Sequence, residues 1–176
     1  MALSIIAYCG LRQVDAVFED GVPIDPVSRE DLEDCLVMED APGFAGRCAP
    51  YTAGAVYAYS GKLRGYQRAY SGHSHFRETL ARLVGYPKGG RDSVYAEHYP
   101  HQAGACEAQS GPFHELIVFS DCEGVIGLDA IKKLAADFAE WDAAASAVPD
   151  EQFYEQYGLL RRQVEVAADG GCLYFT

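Results

Sequence analysis

The sequence predicts an α+β fold, with a mixed or antiparallel sheet and about three packed helices. Strand-like runs and helical stretches follow one another in no regular βα order. Three separate segments place apolar residues at helical spacing. Neither an internal repeat nor a low-complexity tract is present. With 176 residues, 49% apolar and 23% charged, positions 1–176 read as a single globular domain that can bury a core without disulfides or metal.

The elements follow in chain order. Leu3–Tyr8 reads as a strand, and Asp20-Gly21 with Pro23 as a turn. Ser28 is placed to cap a short helix, with Asp31 at its third position. The run through Met38 fits a helix or a strand equally. Pro42, Gly43, Gly46 and Pro50 make 40–50 a loop. Ala55–Tyr59 is strand-like, Ser60-Gly61 turns, and Lys62–Tyr70 returns as a second strand. Phe76, Leu80, Leu83 and Val84 form one helical stripe, capped by Ser71 or Ser74 and stopped by Gly85 and Pro87. Residues 87–112 read as a long irregular loop. Leu116-Ile117-Val118-Phe119 is wholly apolar and reads as a buried central strand. Asp129 caps a helix whose seam is Ile131, Leu134, Phe138, Trp141 and Ala145. Pro149-Asp150 ends it, and Phe153, Tyr157, Leu160 and Val164 mark another helix. Asp169-Gly170-Gly171 turns the chain into a last strand, Cys172–Phe175.

Charge is distributed unevenly. The net charge is −12, which argues against binding bulk nucleic acid or a membrane surface. No apolar run approaches the roughly 20 residues of a bilayer span, and Met1 to Gly10 does not read as a signal peptide. Residues 1–61 carry −7 and residues 92–176 carry −11, whereas 62–91 carry +6. Lys62, Arg64, Arg68, Arg77, Arg82, Lys88 and Arg91 fall in that basic window, interleaved with tyrosines and histidines. Guanidinium forks beside aromatic faces suit a planar, anionic ligand, although pairing with the acidic flanks is the plainer account. The six cysteines are at least 13 residues apart with no CxxC, so they read as reduced thiols of a cytosolic protein, mostly in the core.

Two segments concentrate chemistry. Tyr70-Ser71-Gly72-His73-Ser74 enters a helix, where free amides and hydroxyls favour anions, with Arg77 one turn in. Ser120-Asp121-Cys122-Glu123-Gly124 follows the predicted buried strand, where sheets open into ligand crevices. Asp121 and Glu123 are placed there to act as a base or bind a cation, and Cys122 to be a nucleophile beside His114 or His73. All five histidines fall within 42 residues, and His73-x-His75 and His98-x-x-His101 have the spacing of metal-ligand pairs. No P-loop, HExxH or GxSxG motif is present, so the sequence predicts no cofactor, no resident metal and no assigned catalytic residue.

Two stretches carry a family resemblance. One is Tyr70-Ser71-Gly72 with Phe76-Arg77 and Leu80, ending Leu83-Val84-Gly85-Tyr86. The other is Glu115-Leu116-Ile117-Val118-Phe119-Ser120-Asp121-Cys122-Glu123-Gly124-Val125-Ile126-Gly127, then Lys133 to Phe138. With Ala167-Ala168-Asp169-Gly170-Gly171, they resemble an uncharacterised family of bacterial and phage proteins over about residues 54–176. Residues 1–53 would then be a variable N-terminal extension, and His73-Ser74 stands where the family pattern has Tyr-Asn. The resemblance implies no fixed activity. Its setting suggests counter-defence or signal sequestration in the cytoplasm of a bacterial or phage-infected cell.

These readings converge on a binding protein rather than an enzyme. The expected ligand is a small, nucleotide-sized anion held by Arg64, Arg68, Tyr70, Ser71, His73, Arg77, Ser120, Asp121 and Glu123. One alternative is an acidic inhibitor or immunity-type protein that binds a basic protein partner through its flanks. Another is a metal- or cysteine-dependent hydrolase using His98, His101, His114, Asp121 and Cys122. The sequence is also compatible with a homo-oligomer.

Overall fold

The computed structural model describes residues 2–41, 43–90, 94–120 and 122–176. Its elements run β1 (Ala2–Cys9), β2 (Arg12–Val14), β3 (Val17–Glu19), β4 (Val22–Ile24), β5 (Cys35–Val37), β6 (Val56–Ala58) and β7 (Gly61–Ala69). Then come α1 (Tyr70–Leu83), α2 (Val94–His98), α3 (Pro100–Glu107), α4 (His114–Ile117), β8 (Gly124–Ile126), α5 (Leu128–Ser146), α6 (Glu151–Ala167) and β9 (Cys172–Phe175). The fold is α+β. The principal sheet has the order β7-β1-β9-β8 and every pairing in it is antiparallel. A second sheet, β2-β6-β5, and a separate hairpin, β3-β4, are antiparallel too.

Alternation along the strands builds two cores. Leu3, Ile5 and Ala7 of β1 join Leu173 and Phe175 of β9 on the face that meets the helices. There they pack with Phe76 and Leu80 of α1, Phe138 of α5, and Tyr157, Leu160 and Val164 of α6. Each such side chain contributes about 1.5–3 kcal/mol on burial. The intervening residues, Cys172 of β9 and Val125 of β8, face a smaller core with Leu36, Met38 and Tyr57 of the second sheet. The first 53 residues therefore supply the central strand β1 and two strands of the covering sheet.

The helical seams of α5 and α6 lie where their spacing predicts. Ile131, Leu134, Phe138 and Ala145 are buried on α5, as are Phe153, Tyr157, Leu160 and Val164 on α6. Asp150 caps α6 by accepting the Phe153 amide. Gly85, at φ +87°, follows α1 as expected of a helix stop.

Several elements differ from expectation. Leu116–Phe119 is not a strand: α4 is a single helical turn, and the amides of Leu116 and Ile117 both reach the Phe113 carbonyl. A short apolar run buried on every side carries no period that separates the two forms. No helix follows Ser28. Asp25 accepts the amides of Val27 and Ser28, and Arg29 sits at φ +63°, which closes a turn instead. Helix α1 begins at Tyr70 behind Ala69, so neither Ser71 nor Ser74 caps it. Gly127, not Asp129, occupies the cap position of α5. Residues 87–112 hold α2 and α3, with Gly104 pressed so close to the Pro87 carbonyl that a methyl group would not fit. All six thiols are free, yet only Cys48 and Cys172 are buried. No helix among the described residues is long and apolar enough to cross a membrane.

Candidate functional site

Arg77, just past the first of the two segments, reaches Phe119, just before the second, and that contact lies inside the protein. Arg77 is 3% exposed, and its Nη1 donates to the Phe119 carbonyl at 2.6 Å. His73, fully buried, has Nδ1 2.7 Å from the Tyr66 hydroxyl and its ring stacked on Phe76. Burial, reinforced by the Arg77 charge, pushes the His73 pKa well below its ordinary value, so the imidazole is neutral. Burial likewise pushes the Tyr66 phenol up, against the lowering effect of Arg68 and Arg77. Tyr70 is half-buried against the core, while Ser71 is exposed on α1. Ser120 Oγ accepts the amides of Cys122 and Glu123 and thereby closes the turn. Glu123 is exposed, and Asp121 lies outside the described residues.

The basic window does not converge. Arg64 and Arg68, four residues apart, would share a face of a regular strand. A bulge leaves Gly65 unpaired, so Arg64 opposes Ile6 and Arg68 opposes Leu3. Leu3 faces the helices, which puts the two guanidiniums on opposite faces of the sheet. Arg68 lies 3.7 Å from Glu155, and Lys62 donates to the Tyr59 hydroxyl at 2.8 Å. Arg82 and Lys88 are exposed at the end of α1 and beyond it, and Arg91 lies outside the described residues.

The histidines are dispersed as well. His75 is exposed, 3.8 Å from Asp150, and the His98 ring meets Tyr99 edge-on. His101 Nδ1 lies 2.6 Å from Glu78 Oε1. Among the described residues no three His, Cys, Asp or Glu side chains converge as metal ligands. Cys122 Sγ has Ser120 Oγ at 3.5 Å, while the histidines suggested as its base bond elsewhere, His73 with Tyr66 and His114 with Ala108.

A cavity of about 380 Å³ lies elsewhere, between the 45–49 turn, α4 and the first turns of α5. Its polar walls are Arg47, Gln109, His114, Glu115, Asp129 and Lys133. The turn is fixed because Gly127 donates its amide to the Arg47 carbonyl and Asp129 donates to that of Ala49. Only glycine fits at 127, where a Cβ would stand 2.2 Å from the Cys48 carbonyl oxygen. Arg47 Nη1 donates to the Glu115 carbonyl at 3.0 Å, and its guanidinium lies over the Phe119 ring at 5.9 Å. Desolvation lowers the Arg47 pKa, against the raising effect of Glu115, which marks a partly dehydrated cation.

The opposite wall is an ion-pair network. Lys133 Nζ donates to the Gly111 carbonyl at 2.8 Å, Glu115 at 2.7 Å and Asp137 at 2.9 Å. Burial opposes its charge, but the bonds to the two carboxylates outweigh it and raise the Lys133 pKa. With three donors engaged, this ammonium is a fixed charge and not a nucleophile. His114 donates Nε2–H to the Ala108 carbonyl at 3.0 Å, which leaves Nδ1 as an acceptor. Among the described residues no Ser, Thr or Cys lines the cavity. The arrangement offers a guanidinium for an anionic group and acceptors at Asp129 and His114 for ligand donors. Sequence reasoning missed Arg47 and Lys133 because Arg47 stands alone, and Lys133 beside Lys132 alone, in acidic stretches. The Lys133–Asp137 spacing of four was the one legible signal. No protein-family model, curated protein or solved structure matches the chain.

Proposed function

We propose that this protein binds a small anionic ligand of nucleotide size in the cavity walled by Arg47 and Lys133, and holds it without turnover. The carrying observation is the Arg47 guanidinium, fixed by the Glu115 carbonyl and the Phe119 ring at the wall of a cavity of about 380 Å³. That volume lies in the usual range for small-molecule sites, about 300–1,000 Å³. Lys133 is largely neutralised by Glu115 and Asp137, which leaves Arg47 as the cation that meets a phosphate or carboxylate. Asp129, in the first turn of α5, would accept from ligand hydroxyl, amide or amine groups. The described wall residues supply a guanidinium, an ammonium and carboxylates but no hydroxyl or thiol nucleophile, which favours binding over covalent catalysis. This reading keeps the ligand class inferred from the sequence and moves it away from β7 and α1.

Calorimetric titration with a panel of mono-, di- and cyclic nucleotides tests it. One member should bind, and Arg47→Ala should weaken it by roughly tenfold to a hundredfold, the value of a charge-assisted bidentate contact. Arg64→Ala should leave affinity unchanged. Equal affinity in wild type and Arg47→Ala, or loss of binding on Arg64→Ala alone, would overturn the assignment.

A further inference from the structure

The β3-β4 hairpin pairs with no other sheet, and it exposes apolar side chains that belong to neither core. Phe18 is 50% exposed, Val22 44% and Val17 37%, and Val27 in the following turn reaches 90%. The arm is nevertheless built and not loose. Asp20 and Gly21 turn it at positive φ, and Arg29 of the following turn pairs with Glu19 beside the hairpin turn. Ile24 bridges to Asp31, and the Leu32 amide reaches the Pro23 carbonyl. A hollow of about 520 Å³ lies beside it, between β2 and the 25–32 turn.

Charge says what the arm fits. Residues 15–34 hold eight acidic residues against Arg29 alone. All but Asp25 of the acidic side chains are exposed, so carboxylates surround the exposed Phe18, Val22 and Val27. A folded arm with exposed apolar side chains on both faces and an acidic rim has the anatomy of a docking element, apolar patches inside a polar border. We infer that this arm docks into a basic cleft of another protein, with Phe18 on one face of the hairpin and Val22 on the other meeting apolar walls and the surrounding carboxylates meeting Lys and Arg. The net charge of −12 favours encounter with a cationic protein and disfavours a second copy of this chain. The same charge repels nucleic acid. The arm is separate from the Arg47 cavity, so neither reading depends on the other.

The test uses the full-length protein and two probes of equal charge, an amphipathic Leu/Lys helical peptide and poly-lysine. Titration calorimetry should give affinity for the Leu/Lys peptide about tenfold above poly-lysine, falling with added salt. The double variant Phe18→Ser, Val22→Ser keeps every charge and should erase that tenfold margin without shifting the thermal midpoint. Equal affinity for the two probes overturns the inference, as does a double variant that binds like wild type. Dimerisation of the protein alone by sedimentation, lost in the double variant, would overturn it in favour of a second copy. Binding to phosphatidylcholine vesicles, lost in the same variant, would overturn it in favour of a lipid surface.

Discussion

Arg77 Nη1 donates a 2.6 Å hydrogen bond to the carbonyl oxygen of Phe119, joining the middle of α1 to the residue that opens the 120–124 turn. The contact is buried, so its work is structural. A charged donor on a buried carbonyl is worth about 1.5–3 kcal/mol, and truncation adds the cost of the space left behind. Arg77→Ala should therefore lose about 2–4 kcal/mol in urea unfolding while the folded fraction keeps full ligand affinity. Unchanged stability with abolished binding would make Arg77 a ligand contact instead.

The pairing of His73 with Tyr66 gives a pH dependence with a definite sign. The folded pKa of His73 lies well below its ordinary 6.5, first because of burial and then because of Arg77. On acidification the unfolded chain takes up this proton and the folded one does not, so stability falls as pH drops below about 6.5. One unit lower, at about pH 5.5, this one group costs about 1.4 kcal/mol. His73→Gln keeps an acceptor for Tyr66 and should remove that increment, read as the difference between the stability–pH curves of the two proteins. Parallel curves would mean that His73 is protonated in the folded state.

Glu78 caps a helix that is not its own. Its Oε2 accepts the amides of His101 at 2.9 Å and Gln102 at 2.8 Å, at the second and third positions of α3, while Oε1 holds His101 Nδ1. Tyr99, at the cap position, makes no side-chain cap bond. Glu78→Gln would place an amide donor against those donors and should cost about 1–2 kcal/mol. Hydrogen exchange should accelerate at the amides of 101 and 102 and leave α6 protected. Uniform acceleration across the chain would mean that α3 has no separate dependence on Glu78.

How much of this was legible in the sequence follows from the range of the interactions. The α5 and α6 seams span four to five turns each, so their period is unambiguous, and β1 and β9 keep their alternation. Leu116–Phe119 spans one turn, and four apolar residues in a row look the same in either form. Helix α3 draws its start signal from Glu78, more than twenty residues away, and local capping patterns cannot register that. The bulge at Gly65 reverses the face of everything beyond it, which separates Arg64 from Arg68 despite their spacing. The cavity is assembled from 45–49, Gln109, 114–115 and 129–133, and its key cation, Arg47, lies 68 residues from Glu115, beyond any local pattern.

The network around Lys133 makes the last prediction. Asp137 Oδ2 accepts from both Lys133 and the Phe113 amide, at 2.9 and 2.7 Å, and Glu115 stands on the other side of the ammonium. Lys133→Met would leave two carboxylates facing each other without their cation. Full burial would make such a loss worth about 3–5 kcal/mol, but the Lys133 side chain is 38% exposed, so about 1–3 kcal/mol is expected at neutral pH. In wild type the pH dependence from this ammonium has a definite sign. The raised Lys133 pKa supplies stability that is complete below its unfolded value, near 10.5, and is lost as pH rises through the folded one. Urea midpoints of both proteins from pH 7 to 11 check both the deficit and its loss at the alkaline end. A deficit independent of pH would mean that the side chain acts by packing alone and that its charge holds neither carboxylate.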